Sequence, residues 1–197
     1  MVHNAGVALR GRMVETPLEL DQRVMATNYF GPLALTKALL PSMLARGSGH
    51  FVVVSSLSGK YGVPQLSAYA ASKHALHGAF ESLRAEVNDQ GLRVTVVVPG
   101  VIRTPILEHA LTGSGARYGR TTPEYARGMD PGACAARILR AVAREKEEVL
   151  IGKSEIFTVY LKRFAPTLLS AFVRSHPVRW QRRLLARIGI KVARQSE

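Results

Sequence analysis

Two short apolar runs, residues 51–55 and 92–98, most constrain what this chain can fold into. Both are rich in valine, and each is bounded by turn-forming residues: Gly47 and Gly49 before the first, Pro99-Gly100 after the second. A run with so little polar alternation reads as a strand buried on both faces, which parallel sheets covered by helices provide. The rhythm along the chain is helix, strand, helix, strand, helix, strand. An α/β fold with a parallel sheet follows.

The helices have their own signals. Residues 20–44 read as one long helix interrupted at Gly31-Pro32. Residues 67–88 read as a second, in which Ala68, Ala71, Ala75 and Ala79 form a small-residue stripe suited to close packing. Residues 131–144 read as a third, with Asp130 as N-cap and Pro131 at the first helical position. Residues 148–151 form a third strand, and residues 112–128, rich in Gly, Ser and Thr, read as a mobile loop. Residues 155–173 and 178–188 are two basic helical candidates.

Composition narrows the class. At 197 residues, 47% hydrophobic and 21% charged, the chain suits one globular domain and neither a disordered nor a fibrous protein. A lone cysteine, Cys134, excludes an internal disulfide and suits a reducing compartment. Residues 1–11 lack the apolar core and cleavage site of a signal peptide, so a cytoplasmic location is expected. The net charge is +13, and from Ile151 onward ten Lys and Arg face two Glu. Such a basic tail reads either as a solvated surface or as a contact with an anionic membrane surface; nucleic acid is the least favoured partner. Residues 156–173 are too polar and broken, by Lys162, Arg163 and Pro166, to span a bilayer.

Three residues carry the candidate chemistry. Tyr69 and Lys73 stand four apart in the run YAASK, which on a helix puts both side chains on one face. A tyrosine hydroxyl has a reference pKa of about 10, and a neighbouring ammonium favours its phenolate. So tuned, it can act as general acid or base on an alcohol or carbonyl oxygen. By itself such a pair is more often a solvated helix contact. Ser56, thirteen residues before Tyr69, changes that reading. It ends the 51–55 strand, and ligands of open parallel sheets bind at the carboxyl ends of strands. Its hydroxyl there can hydrogen-bond a reacting oxygen, although capping the SSLSG turn is the plainer use.

The strand leading into SSLSG, the YAASK run and the strand ending in Pro99-Gly100 together resemble the short-chain dehydrogenase/reductases. The resemblance extends to Asn4-Ala5-Gly6, similar to that family's NAG motif, to Asn28 within TNYFG, and to Thr104, four residues after Gly100. It implies a Rossmann-like doubly wound parallel sheet and an oxidoreductase that takes NAD or NADP. It implies a catalytic tetrad of Asn28, Ser56, Tyr69 and Lys73. In it Tyr69 exchanges the substrate proton, Lys73 lowers the Tyr69 pKa and holds the cofactor ribose, Ser56 orients the substrate oxygen, and Asn28 anchors a water. Cofactor contacts are implied for Asn4, Ala5, Gly6, Tyr69, Lys73, Pro99, Gly100 and Thr104. The expected substrate is a small apolar alcohol or carbonyl compound, and homo-oligomers are expected through residues 20–44 and 67–88. Residues 1–152 would be the catalytic portion, and residues 153–197 a substrate lid or membrane-surface contact.

The departure from the family is at the front. No glycine-rich TGxxxGxG motif precedes Asn4, and Gly113-Ser114-Gly115 follows no strand. The expectation is a sequence truncated at its N-terminus, with an exposed sheet edge and weak NAD(P) binding. A non-catalytic remnant and a peripheral membrane protein acting through its tail stay open as alternatives. His74 and His77 lie three apart without a third ligand, so no metal site is expected. Cys134 is expected to be a buried, inert thiol, and Trp180 either an interfacial anchor or a packing residue.

Overall fold

The computed structural model describes residues 1–174. The candidate helix 178–188 and Trp180 lie outside the described residues. Four strands form a parallel sheet in the order β1 (Val2–His3), β3 (Gly49–Val54), β4 (Leu92–Pro99), β6 (Glu148–Ile151). The register pairs Val2 with Val52, Val53 with Val96, and Val98 with Leu150. All three predicted strands are present, so the α/β reading holds. A two-stranded parallel ribbon, β2 (Leu9–Arg10) with β5 (Leu111–Thr112), stands apart from the sheet. It is too short for a periodicity argument to find.

The valine runs are buried on both faces, as their composition predicts, because successive side chains point to opposite sides of a strand. On one side Phe51, Val53, Val94, Val96 and Val98 pack with Leu76, Phe80, Leu83 and Val87 of helix α3 (Ser67–Val87). On the other, Val52, Val97 and Ile151 pack with Met129 and with Cys134 of helix α5 (Pro131–Ala143). Asp130 caps α5, its side chain accepting from the Ala133 N–H at 3.1 Å. Cys134 is buried, and burial pushes its thiol pKa up, as an inert thiol requires. Phe51 and Phe80 are almost wholly enclosed; truncating either to alanine would cost about 3–5 kcal/mol.

The long first helix differs from its predicted form. Helix α1 (Leu18–Met25) and helix α2 (Gly31–Ala45) run on through a π-helical turn at Ala26–Phe30. The irregularity therefore precedes Gly31-Pro32 instead of falling on it. Proline has no N–H to give to the carbonyl four residues back, here that of Asn28. The chain adapts by widening the preceding turn, where the Gly31 N–H reaches the Ala26 carbonyl.

Residues 112–128 are more ordered than a bare loop. The Thr112 and Tyr118 N–H groups donate to the carbonyls of Ala116 and Ala110. A short helix, α4 (Pro123–Ala126), completes the segment. The predicted helix 155–173 is two helices, α6 (Phe157–Phe164) and α7 (Pro166–Arg174). Pro166 starts the second, since it cannot continue the first. Met1–Val159 form one compact unit; Tyr160 onward belongs to a second. At the sheet edge β1 pairs only with β3 among the described residues, and Val2 is exposed. None of the helices in the described residues is long and apolar enough to cross a membrane.

Candidate active site

The candidate residues gather where β1 and β3 end and the first turns of α3 begin. Ser56 follows β3 by two residues, and its Oγ accepts from the Ser58 N–H at 3.2 Å, so the turn-capping use is real. The Ser56 side chain also bears on Tyr69, drawing its pKa down. Gly59 closes the same turn. A Cβ there would stand 2.5 Å from Ser55 Oγ and 2.9 Å from the Lys73 carbonyl, so only glycine lets the turn press against α3.

Lys73 is buried, and its ammonium donates to the Val54 carbonyl at 2.9 Å. Its Nζ lies 5.8 Å from the centroid of the Tyr69 ring. No carboxylate pairs with it among the described residues, and burial lowers its pKa to about 8. The expected lowering of the Tyr69 pKa by Lys73 is not what this geometry gives. Burial raises the phenol to about 12, the neighbouring Tyr125 adds to the rise, and the Ser56 side chain opposes it. The Lys73 ammonium is turned toward the Val54 carbonyl. Tyr69 itself is half-buried.

Asn28 is fully buried in the π turn. Its Oδ1 accepts from the Val7 N–H at 2.8 Å, and its Nδ2 donates to the Val7 carbonyl and to Ser72 Oγ, both at 2.9 Å. The amide is thus spent on structure, and an ordered water would have to use the Asn28 carbonyl. Gly6 faces this pair: a Cβ on it would stand 3.4 Å from Asn28 Oδ1 and 3.5 Å from Lys73 Nζ. Asn4 and Ala5 are exposed beside it. Pro99 and Gly100 lie half-buried at the carboxyl end of β4, and Thr104 is half-buried beyond them. The Gly100 N–H is bound by the Ile151 carbonyl, and Glu155 Oε1 accepts from the neighbouring Val101 N–H at 3.1 Å.

Residues 1–114 match the family described as short chain dehydrogenase. The chain belongs to the short chain dehydrogenases. Dehydrogenase/reductase SDR family member 7B of Danio rerio is 46% identical over 169 residues, 85% of this chain and 55% of that one. A short-chain dehydrogenase from Streptomyces avermitilis superposes with a TM-score of 0.68 at 30% identity, covering 92% of this chain and 68% of that one. A short chain dehydrogenase from Burkholderia cenocepacia in complex with NADP superposes with a TM-score of 0.72 at 24% identity, over 87% and 67%. The chain spans about half the length of the curated relatives it matches. The Rossmann-like fold and the dehydrogenase/reductase family predicted from the motifs both hold.

Several residues around the candidate site of this short chain dehydrogenase had no signal in the sequence. Ser72 holds Asn28 and donates to the Tyr69 carbonyl at 2.8 Å. Ser55 Oγ lies 2.9 Å from His77 Nε2 and 3.2 Å from the Lys73 carbonyl. His77 Nδ1 faces Glu81 and Glu148, and Lys60 is paired with Glu148. The helical spacing of His77 and Glu81 is legible in the sequence; the approach of Glu148 from another strand is not. Tyr125 joins Tyr69 in a small apolar cluster around Ala8, Leu107 and Ala110.

Proposed function

We propose that this chain is the catalytic part of an NAD(P)-dependent oxidoreductase that interconverts an alcohol and a ketone or aldehyde. The observation that carries the reading is the buried ammonium of Lys73, 5.8 Å from the centroid of the Tyr69 ring and bound to the Val54 carbonyl at the carboxyl end of β3, where Ser56 follows. A phenol held at a pKa of about 12 is fully protonated near neutrality, the form that donates to a carbonyl oxygen. Ser56 holds that oxygen and stabilises charge developing on it. In the opposite direction Tyr69 must lose its proton, which Lys73 favours once its ammonium turns toward the phenolate.

The residues fit a dinucleotide. Lys73 has three donors and uses one on Val54, so two are left for ribose hydroxyls. Gly6 leaves open the space beside Lys73 and Asn28. Asn4 and Ala5 would adjoin the adenine side, and Pro99, Gly100 and Thr104 the nicotinamide end. When bound, NAD or NADP supplies or takes the hydride. The chain's own part is to place the substrate oxygen and move its proton.

Turnover followed by nicotinamide absorbance, with a panel of ketones and secondary alcohols, tests the reading. Tyr69→Phe keeps the ring and loses the proton, so it should abolish turnover while leaving nucleotide affinity within about threefold. Equal turnover in Tyr69→Phe would exclude this assignment. Self-association would run through α2 and α3. There Ala71 is exposed, and a groove of about 200 Å³ is bordered by Leu33, Leu40, Ala79 and Leu83.

A second reading concerns residues 153–197. On α6 and α7, Phe164, Leu168 and Phe172 are exposed near Lys162, Arg163 and Arg174 in sequence. That pattern suits an interfacial contact with anionic lipid. Co-sedimentation with anionic but not neutral vesicles, lost at high salt, would support it.

A further inference from the structure

Arg10 ends β2, and Arg120 lies in the segment between β5 and α4. Their guanidinium carbons stand 5.3 and 5.0 Å from the centroid of one ring, that of Tyr118. Elsewhere on the surface, arginines meet carboxylates: Arg12 with Glu15, Arg93 with Glu145, Arg103 with Asp130. Among the described residues, neither Arg10 nor Arg120 does so; the Arg10 Nε donates to Gln65 Oε1 at 3.2 Å. Two cations gathered at one aromatic ring repel each other, and the ring offsets that only weakly at an exposed position. An anion between them would relieve the repulsion and meet planar donor forks that match a carboxylate or phosphate.

The place of this pair gives it meaning. Tyr118 packs in the same cluster as Tyr69 and Tyr125. Arg10 is close enough to Tyr125 to favour its ionised form, and Tyr125 in turn bears on Tyr69. The cations therefore stand at Tyr118, on the same apolar cluster as Tyr69. Ile106 and Leu107 line the intervening cluster with apolar surface.

We propose that Arg10 and Arg120 form an anion-recognition site at the edge of the substrate pocket. The substrate class is then a carbonyl compound or alcohol that carries one carboxylate or phosphate, joined through an apolar spacer. This rests on the reading of Tyr69 as the group that acts on the substrate oxygen. It alters the purely apolar substrate expected from the sequence, because one end is now charged.

The test is equilibrium binding by calorimetry on the 197-residue chain, with no turnover required. The probes are levulinate, an oxo acid; methyl levulinate, its uncharged ester; and inorganic phosphate. Levulinate should bind at least about tenfold tighter than the ester. Arg10→Gln and Arg120→Gln should each remove most of that preference while the folded state persists, since Arg120 is exposed and Arg10 half-exposed. Phosphate that displaces levulinate assigns the site to either anion; phosphate without effect, beside a retained acid preference, assigns it to carboxylates. Equal affinity for acid and ester, binding of neither, or a preference that survives both substitutions would overturn the proposal. Failure of the oxidoreductase reading shows separately, as turnover unaffected by Tyr69→Phe.

Discussion

Asn28 and Val7 close a two-way hydrogen-bonded pair, the Val7 N–H donating to Asn28 Oδ1 at 2.8 Å and Asn28 Nδ2 donating to the Val7 carbonyl at 2.9 Å. The pair ties the loop after β1 to the π turn. A further bond to Ser72 ties both to α3, three residues from Tyr69 and next to Lys73. The three segments that present the candidate site are thereby fixed to one another through a single buried amide.

Asn28→Ala should accordingly destabilise the fold by about 2–4 kcal/mol, because it removes three hydrogen bonds and leaves Val7 backbone groups unpaired. Urea unfolding of the variant and parent measures this. A variant whose midpoint matches that of the parent would show that the pair holds nothing together.

Lys73 is expected to weaken the fold it serves. Its folded pKa of about 8 lies below the ordinary 10.5, so the unfolded chain binds more protons between those values. The cost of the buried charge is complete below about pH 8 and fades as pH rises to 10.5. Tyr69, raised from 10.0 to about 12, acts oppositely and makes stability fall between those values. Lys73→Met should therefore be more stable than the parent by about 1–3 kcal/mol at pH 7. The advantage should shrink by pH 10. Melting curves of both proteins across that range decide it, and a less stable Lys73→Met at pH 7 would refute it.

Acid should loosen the structure below about pH 6.5, before the carboxylates titrate. Burial lowers the pKa of His3, His50 and His77. A lowered folded pKa means that stability is complete above 6.5 and is lost as pH falls toward the folded value. His3 is enclosed by Phe51, Phe80 and Thr36, with its Nε2 2.9 Å from Thr36 Oγ1. The midpoint of thermal unfolding should fall between pH 7 and 5, and His3→Gln should flatten that fall. An unchanged midpoint across this interval would contradict the assignment.

The sequence by itself determined the sheet and its covering helices. Valine runs at 51–55 and 92–98 have one stable use, burial on both faces, so their position in the sheet needs no knowledge of contacts. A helical i,i+4 pair and a residue at a strand end are local facts, and they singled out Tyr69, Lys73 and Ser56; Asn28 was added by the family resemblance alone. Tertiary structure alone decided how those groups behave. Whether an ammonium points at a phenol or at the Val54 carbonyl depends on a strand residue nineteen positions away, so the rise of Tyr69 could not be read from YAASK. The π turn at Ala26–Phe30 is likewise a compromise between the missing N–H of Pro32 and the grip of Val7 and Ser72 on Asn28. Arg10, Arg120 and Tyr118 come together only because β2 pairs with β5, a two-residue register without any periodic signal. Periodicity records which face of an element is buried; it carries no record of which distant atoms that face will meet.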